Sequence, residues 1–392
     1  MPQNSRDHSL NLAPASVEDY RELARRKLPR QIFDYVDGGA FGETTLNANR
    51  DDLHHIQFRQ RVLRDVTERR LATTVLGEEI AMPVILAPVG FGGMLARRAE
   101  VQAARAAERA GIPFCESTLS ICGIEEVAAA VKRPIWFQLY VMKDRSYAED
   151  LMLRAQAAGC TTLILTVDLA VVGQRYRDGR NGISGRIPRS KRLRRGIDLV
   201  GHTSWLRDVA LGGKPLTFGN LEKALPDATV PGDFQAWVAS QFDPSVTWDD
   251  IEWLRAHWSG KIALKGILDP DDAKEAVARG ADAVIVSNHG GRQLDDVPST
   301  IRSLPAIAEA VGDQCEVLMD GGIRSGLDVV KALSLGARAC LIGRPWAYAV
   351  AARGERGVDH ILRIFASEMS VTLGLTGVND VKDLDRTVVV EP

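Results

Sequence analysis

The chain has 392 residues, of which 45% are hydrophobic and 26% are charged, and its formal net charge at pH 7 is -2. This composition is ordinary for a soluble globular enzyme, and the near-neutral charge excludes a global attraction to nucleic acid. The five cysteines are scattered and form no C-x-x-C pair, which favours a reducing cytoplasm over a disulfide framework.

The start of the chain and its longest apolar stretch give no sign of export or of a membrane span. The first 13 residues are polar and lack the apolar core of a secretory signal. Residues 81–95 are the longest apolar stretch, but they include two prolines and three glycines and are too short to cross a bilayer. We therefore expect a cytoplasmic protein.

From about residue 80, short apolar runs alternate with Ala-rich helical segments, which is typical of βα units around a parallel sheet. The runs are apolar almost throughout, as in strands that are covered on both faces. Eight candidate strands can be placed, at residues 83–89, 113–117, 135–140, 162–168, 262–267, 283–289, 316–322 and 339–343. They predict one domain, residues 1–392, with the α/β fold of a (β/α)8 TIM barrel; a doubly wound open sheet is the structural alternative.

Two regions fall outside this alternation. Residues 17–80 precede the first strand and are expected to form an N-terminal helical extension around one end of the barrel. Residues 171–258 separate the fourth and fifth strands, and this insertion is far longer than a usual βα connection. Insertions of that length are commonly functional or disordered.

The insertion carries a basic segment followed by an apolar one. The basic residues are Arg186, Arg189, Lys191, Arg192, Arg194 and Arg195, and the apolar residues are Ile197, Leu199, Val200, Trp205, Leu206 and Val209. One interpretation is a solvated flap over the active site. The other is contact with the inner face of the cell membrane, where basic residues meet anionic lipid and apolar residues enter the interface.

Polar and charged side chains occur where five of the predicted strands end. A single such residue could simply mark the point at which a strand reaches the surface. In (β/α)8 enzymes, however, the carboxyl ends of the strands share one mouth that holds the active site, so five such ends indicate a pocket. The residues concerned are Gln138, Tyr140, Asp168, Lys265, His289, Arg292, Asp320 and Arg324.

His289 is the candidate general base, because it is the only one of the seven histidines at a predicted strand end. Asp168 could pair with it, orient the ring and raise the pKa of the imidazole towards the range useful for taking a proton. Arg292 lies three residues on and could hold a carboxylate through two parallel hydrogen bonds. A base beside an anion clamp suggests a small acid with an abstractable proton.

Glycines close the last two predicted strands, where barrels commonly bind phosphate through backbone N–H groups. The alternative interpretation is plain turn glycines. Lys265 could form a Schiff base, face a flavin or lie on the surface. We find no G-x-G-x-x-G opening a strand–helix unit, so a nicotinamide-binding Rossmann domain is not expected, and no metal-ligand spacing calls for a metal. The phosphate candidates are Gly321, Gly322, Arg324, Gly343 and Arg344.

The chain resembles the FMN-dependent 2-hydroxy-acid oxidase and dehydrogenase family from about residue 17 to its end. Six ordered motifs carry the resemblance: 137–140 (FQLY), 165–168 (LTVD), 264–266 (LKG), 287–295 (SNHGGRQLD), 320–324 (DGGIR) and 342–345 (IGRP). Within the family it is most similar to the bacterial quinone-linked L-lactate dehydrogenases, through 35–40 (YVDGGA), 87–90 (APVG) and 175–178 (RYRD).

The resemblance implies a role for each matching residue. His289 would be the base and Asp168 its partner, with Arg292 and Tyr35 on the substrate carboxylate, Tyr140 on the substrate oxygens and Arg175 near the hydroxyl. The FMN ring would contact Pro88, Val89, Gly90, Ser117, Gln138, Thr166, Lys265 and Ser287. Its ribityl chain and phosphate would contact Asp320, Gly321, Gly322, Arg324, Gly343 and Arg344.

The family resemblance also implies the reaction, which is the oxidation of an L-2-hydroxy acid such as L-lactate to its 2-keto acid. It implies a quinone or similar compound as the electron acceptor, and a homo-oligomer, specifically a tetramer. Two positions depart from the plant oxidases of the family, which have Trp in place of Leu119 and Ala in place of Gly90. Oxygen reactivity and a preference for small substrates are therefore not implied. A mandelate or other aromatic 2-hydroxy-acid dehydrogenase remains an alternative, as does a phosphate-binding barrel without flavin.

Overall fold

The computed structural model describes residues 13–183, 189–213, 219–221 and 240–390. In chain order its strands are β1 (Gln57–Phe58), β2 (Thr73–Val75), β3 (Glu78–Ile80), β4 (Val84–Leu86), β5 (Cys115–Ser117), β6 (Trp136–Leu139), β7 (Thr162–Thr166), β8 (Lys261–Ile267), β9 (Ala283–Val286), β10 (Glu316–Met319), β11 (Ala339–Ile342) and β12 (Val389–Val390).

Strands β4 to β11 form one parallel sheet in the order β4-β11-β10-β9-β8-β7-β6-β5. A parallel bridge between Leu86 and Phe114, with the Leu86 amide donating to the Pro113 carbonyl at 3.0 Å, joins the two edges. The predicted (β/α)8 barrel is thereby confirmed, and the alternative of an open sheet is excluded. Several predicted strands ran one to three residues too far at their carboxyl ends, because those residues leave the ladder to face the mouth.

Helices alternate with the barrel strands. Local signals mark where helices begin. Asp269, which directly precedes Pro270, accepts a hydrogen bond from the Asp271 amide, and Ser325 accepts one from the Asp328 amide. The helices are Val17–Lys27, Arg30–Asp37, Thr44–His55, Ala99–Arg109, Ile124–Ala129, Arg145–Ala157, Tyr176–Asn181, Arg189–Gly201, Thr203–Trp205, Asp250–His257, Pro270–Ala278, Thr300–Val311, Gly326–Ser334, Arg344–Arg353 and Glu355–Thr376.

The N-terminal extension reaches both ends of the barrel. Its helices run to His55, and the β2–β3 hairpin follows. The hairpin buries Val75, Leu76 and Ile80 against the side chains that fill the barrel interior, and the Leu76 amide donates to Glu316 at the start of β10. The hairpin therefore closes the amino end of the barrel, which leaves the carboxyl end for a site.

The insertion between β7 and β8 carries the helix Arg189–Gly201, which is held to the body through Asp198 and the Arg30 amide at 2.9 Å. Trp205 is buried, and its indole N–H donates to the Met94 carbonyl at 2.7 Å. The hypothesis that Trp205 enters a membrane interface is therefore wrong, because the ring fills the core; Val209 is buried as well. Arg186 and the side chains of Arg189, Lys191 and Arg192 lie outside the described part of the chain. None of the described helices has the length and apolar character needed to cross a bilayer.

Two buried carboxylates lie beneath the loops that follow β4 and β5. Glu100 accepts hydrogen bonds from the Gly93 amide at 3.0 Å and the Ile121 amide at 2.9 Å, so it holds the two loops together. Glu116 is fully buried beside it. Burial raises the pKa of Glu116 well above its usual range, and repulsion from Glu100 raises it further. Ser120 and the Arg98 charge lower its pKa, but by less than burial raises it. Glu116 is therefore a neutral acid in the folded protein.

We expect Glu116→Gln to stabilise the protein increasingly as the pH rises. The wild-type side chain ionises in the unfolded chain above about pH 4.3 but stays neutral when folded. The free energy of unfolding of the wild type therefore falls, relative to that of the glutamine variant, by up to about 1.4 kcal/mol for each pH unit above that value. Melting temperatures of both proteins between pH 5 and 8 measure the difference. The control Glu309→Gln changes an exposed carboxylate and should show no such trend. A difference independent of pH would mean that Glu116 is ionised in the fold.

Candidate active site

The pocket at the carboxyl end of the barrel contains the predicted strand-end residues. Residues from the N-terminal extension and from the insertion complete its walls. Those that line it include Tyr35, Pro88, Val89, Gly90, Leu119, Tyr140, Thr166, Leu169, Val172, Arg175, Phe242, Lys265, His289, Arg292, Asp320, Gly321, Gly322, Arg324, Gly343 and Arg344. Of the predicted site residues, Ser117, Gln138, Asp168 and Ser287 adjoin this set through hydrogen bonds.

His289 is paired with Asp168 across the mouth. The imidazole Nδ1 lies 2.8 Å from Asp168 Oδ1, and the backbone amide of His289 donates to Ser287 Oγ at 3.1 Å. His289 has a φ of +57°, a conformation that turns the side chain out of the line of β9. The pairing assigns the ring proton to Nδ1 and leaves Nε2 available as an acceptor.

The charges around His289 set its protonation state. Burial lowers the pKa of His289, Asp168 raises it and Lys265 lowers it, with a net shift below the usual value. Asp168 raises the histidine pKa as expected, but burial lowers it by more, so the net shift is downward. For Asp168, burial raises the pKa, but the interaction with His289 and the charge of Lys265 leave it below its usual range. The pair therefore presents a neutral imidazole backed by a carboxylate.

Tyr140 approaches the edge of the imidazole that carries Nε2. Its hydroxyl oxygen lies 3.5 Å from His289 Nε2. Burial, with the Asp168 charge nearby, raises the pKa of Tyr140, so the phenol stays protonated. A protonated phenol and an accepting imidazole nitrogen thus point at the same small space, where a substrate hydroxyl could contact both.

Two arginines lie over one aromatic ring, that of Tyr35. The guanidinium carbon of Arg292 lies 5.0 Å from the Tyr35 ring centroid, and that of Arg175 lies 5.9 Å from it. Arg292 also donates to the Tyr35 carbonyl at 2.6 Å and to the Gly38 carbonyl at 3.0 Å. Burial and the Arg292 charge lower the pKa of Arg175 to about 10, and its buried Nε has no hydrogen-bond partner. This part of the mouth can accept an anion.

Lys265 forms a buried network with two predicted cofactor residues. Its ammonium donates to Ser287 Oγ at 2.9 Å and lies 3.1 Å from Asp320 Oδ2. Burial lowers the pKa of Lys265, but Asp320 and Asp168 raise it more, so the group remains an ammonium. Because a Schiff base forms from a neutral amine, the network disfavours that interpretation of Lys265.

Polar atoms without partners point to a bound molecule in this part of the pocket. Gln138 accepts a hydrogen bond from Ser117 Oγ at 3.0 Å, yet its buried Nε2 has no partner. One carboxylate oxygen of Asp320 is likewise buried and unpartnered. Buried polar groups are nearly always hydrogen-bonded in native proteins, so these atoms fit a polar ligand.

The glycines after β10 and β11 form a cradle at the other end of the pocket. Gly322 has a φ of +83°, and a side chain there would meet the Asn49 carbonyl oxygen, so only glycine fits. Arg344 opens the helix Arg344–Arg353 and donates to the carbonyls of Val36, Gly38 and Gly290, at 2.9 Å each. Backbone N–H groups at a helix start beside Arg324 and Arg344 can hold an anion such as phosphate.

Sequence reasoning missed several residues of the site, among them Gln293 and Phe242. Gln293 donates to the carbonyls of Asp168 and Val171, at 2.9 Å each, and so fixes the loop that carries Asp168. Its position inside the motif 287–295 was a usable signal. Phe242 reaches the pocket from the end of the insertion, where nothing in the sequence pattern marks it.

Comparisons with known proteins agree on one family. The model of the FMN-dependent dehydrogenases matches residues 24–391. The chain is 53% identical to an L-lactate dehydrogenase of Caulobacter vibrioides, over 96% of this chain and 98% of that protein. It is 51% identical to an L-lactate dehydrogenase of Pseudomonas syringae, again over 96% and 98%.

Solved structures of related enzymes have the same fold. The monotopic membrane protein (S)-mandelate dehydrogenase superimposes with a TM-score of 0.90 at 38% identity, covering 97% of this chain and 100% of that one. A mandelate oxidase superimposes with a TM-score of 0.81 at 38% identity, covering 96% and 98%.

Proposed function

Because this chain belongs to the family of FMN-dependent dehydrogenases and uses FMN as its cofactor, we propose that it oxidises L-lactate to pyruvate. The observation that carries the proposal is the pairing of His289 with Asp168 beside Arg292, which sets a base next to an anion clamp. The L-lactate dehydrogenases that are 51–53% identical over almost their whole length support the choice of substrate.

The pocket residues suit FMN in charge and in shape. The unpartnered Gln138 Nε2 and Asp320 Oδ1 and the Lys265 ammonium would face the ring and ribityl chain, with Pro88, Val89, Gly90, Ser117, Thr166 and Ser287 around them. Gly321, Gly322, Arg324, Gly343 and Arg344 would hold the phosphate. When bound, FMN supplies the acceptor for the two electrons that leave the substrate carbon.

His289 would take the proton of the substrate hydroxyl at Nε2. The neutral imidazole is ready for that proton, and the carboxylate of Asp168 at Nδ1 stabilises the imidazolium that results. The Tyr140 hydroxyl, 3.5 Å from Nε2, would hold the substrate oxygen in line with the base. Arg292 and Tyr35 would bind the carboxylate, and Arg175 would offset charge on the substrate oxygen.

A mandelate or other aromatic 2-hydroxy acid is the second candidate substrate. The superposition on (S)-mandelate dehydrogenase at a TM-score of 0.90 favours it, although that protein is less similar in sequence than the L-lactate dehydrogenases. Adding both acids to the same oxidised enzyme decides between them.

We expect L-lactate to bleach the flavin absorption of the purified protein without oxygen, whereas D-lactate should not. His289→Gln should keep the flavin bands and bleach roughly 10²–10⁴-fold more slowly, because it removes the positioned base. Stopped-flow absorption measures both proteins. Bleaching by mandelate but not by L-lactate would select the second substrate, and a normal rate in the variant would contradict the role of His289.

Arg292→Lys keeps the positive charge but loses the planar fork that binds a carboxylate at two points. We expect catalytic efficiency for L-lactate to fall by about 10–100-fold, the size of one or two hydrogen bonds to a charged group. Steady-state kinetics with an artificial electron acceptor measures the loss. The flavin spectrum is the control for folding, and unchanged kinetics would remove Arg292 from substrate binding.

We propose that the electron acceptor is a quinone in the cytoplasmic face of the membrane. The exposed residues of the helix Arg189–Gly201 support this proposal. Leu193, Ile197 and Val200 are 73%, 63% and 67% exposed, and their spacing puts them on one face of the helix. The exposed Arg194 and Arg195 flank that face. An apolar face with basic neighbours is the pattern of a helix that lies in a lipid interface.

The position of this apolar face suits electron transfer to lipid. The helix Arg189–Gly201 contacts the start of the helix Arg30–Asp37, and the other end of that short helix lines the pocket with Tyr35. Eight residues of α-helix span only about 12 Å, so a membrane on this face would lie near the mouth. A homo-oligomer, tetrameric as in the family that the chain resembles, is part of the same proposal.

We expect the protein to sediment with anionic phosphatidylglycerol vesicles at low salt and less with neutral phosphatidylcholine vesicles. Replacing Leu193, Ile197 and Val200 by serine should reduce that binding at least about ten-fold, because burial of the apolar face is lost. Leu153→Ser, which removes an exposed apolar side chain on another helix, is the matched control. Equal binding of all three proteins would exclude this helix as the membrane contact.

A further inference from the structure

A second cavity, of about 400 Å³, lies behind the active-site pocket. It extends from the ends of β7 and β8 to the helix Asp250–His257, and Val246, Trp248 and Ile251 form part of its largely apolar lining. The volume could hold more than ten groups of the size of a water molecule, at about 30 Å³ each. No step of the proposed reaction uses this space.

Four residues line both the pocket and the second cavity: Tyr140, Thr166, Leu169 and Phe242. The first three belong to barrel strands or follow them directly. Phe242 alone comes from the insertion, and its ring meets the Tyr140 ring edge-on, with centroids 5.3 Å apart and an angle of 67°. Phe242 is only 6% exposed, so its ring fills the wall between the two spaces.

The backbone around Phe242 is tied to the segment that follows β6. Phe242 forms an antiparallel bridge with Met142, and the Lys143 amide donates to the Gln241 carbonyl at 2.9 Å. Arg145 lies 3.0 Å from the carboxylate of the neighbouring Asp243 and 2.8 Å from that of Asp250. These contacts hold the backbone that carries the Phe242 ring in place beside Tyr140.

The orientation of the substrate in the pocket follows from the proposed function. A 2-hydroxy acid with its hydroxyl at His289 Nε2 and its carboxylate at Arg292 has both polar groups occupied, so its side chain must face the apolar part of the pocket. Among the described residues, that part includes Leu119, Leu169, Val172 and Phe242. Of these, only Leu169 and Phe242 have the empty second cavity on their far side.

We infer that Phe242 limits the length of the substrate side chain, because its ring, beside Leu169, closes the pocket against the second cavity. The enzyme takes 2-hydroxy acids with short side chains because the Phe242 ring occupies the path that a longer chain would follow. Removing the ring joins the two spaces and admits an unbranched aliphatic chain of several carbons.

The test compares L-2-hydroxyoctanoate with L-lactate in the FMN-loaded wild type and in Phe242→Ala. Each methylene accommodated in an apolar pocket is worth about ten-fold or more in specificity, so the octanoate-to-lactate ratio of kcat/KM should rise at least about ten-fold. Binding of 2-ketooctanoate and pyruvate, followed as a perturbation of the flavin absorption bands, should shift in the same direction without any turnover. Phe242→Leu opens a smaller gap with less risk to folding and should shift both ratios less.

Trp248→Ala is the matched control, because Trp248 lines the second cavity but not the pocket. It enlarges the cavity and leaves the partition in place, so both ratios should stay at the wild-type value. Unchanged ratios in Phe242→Leu and Phe242→Ala, or an equal shift in Trp248→Ala, would overturn the inference. If the wild type oxidises neither acid, the proposed function fails, and the binding ratios of the keto acids still decide the role of Phe242.

Discussion

Positive charge gathered in a buried mouth is the constraint on which this site depends. Lys265, Arg175, Arg292, Arg324 and Arg344 meet there, while Asp168 and Asp320 are the carboxylates that line or adjoin the same space. Burial lowers the pKa of Arg344 to about 9, since its surroundings and neighbouring arginines disfavour the charged form. Burying charge costs several kcal/mol per ion unless it is compensated, so the mouth is built to receive anions. A phosphate at one end and a carboxylate at the other meet that requirement.

The N-terminal extension makes this arrangement of arginines possible. The helix Arg30–Asp37 ends at the mouth, and the carbonyls of Tyr35, Val36 and Gly38 accept hydrogen bonds from Arg292 and Arg344. A helix C-terminus carries partial negative charge, so it stabilises the two guanidinium groups while no anion is bound. The extension is therefore as much a part of the site as the barrel strands are.

The sequence predicts those parts of the protein that depend on local pattern. Apolar runs with His289, Asp168 or Lys265 at or near their carboxyl ends predicted both the barrel and the mouth, because parallel strands bring their carboxyl ends together. The place of Trp205 was predicted wrongly, and the burial that lowers the pKa of His289 against the effect of Asp168 was not predicted, since both depend on the tertiary packing. Phe242 was missed for the same reason: its neighbours in space, Tyr140 and Met142, are about 100 residues away in the chain.

Chemistry and selectivity come from different parts of the chain. The base, its partner and the ammonium stand on barrel strands or shortly after them, where hydrogen bonds connect them to neighbouring side chains. The extension and the insertion supply the walls that meet the rest of the substrate, through Tyr35 and Phe242. The insertion also supplies the surface that would meet a membrane, the helix Arg189–Gly201. Loops tolerate sequence change better than barrel strands do. A change in substrate size or in electron acceptor can therefore arise in those segments while the His289–Asp168 pair stays as it is.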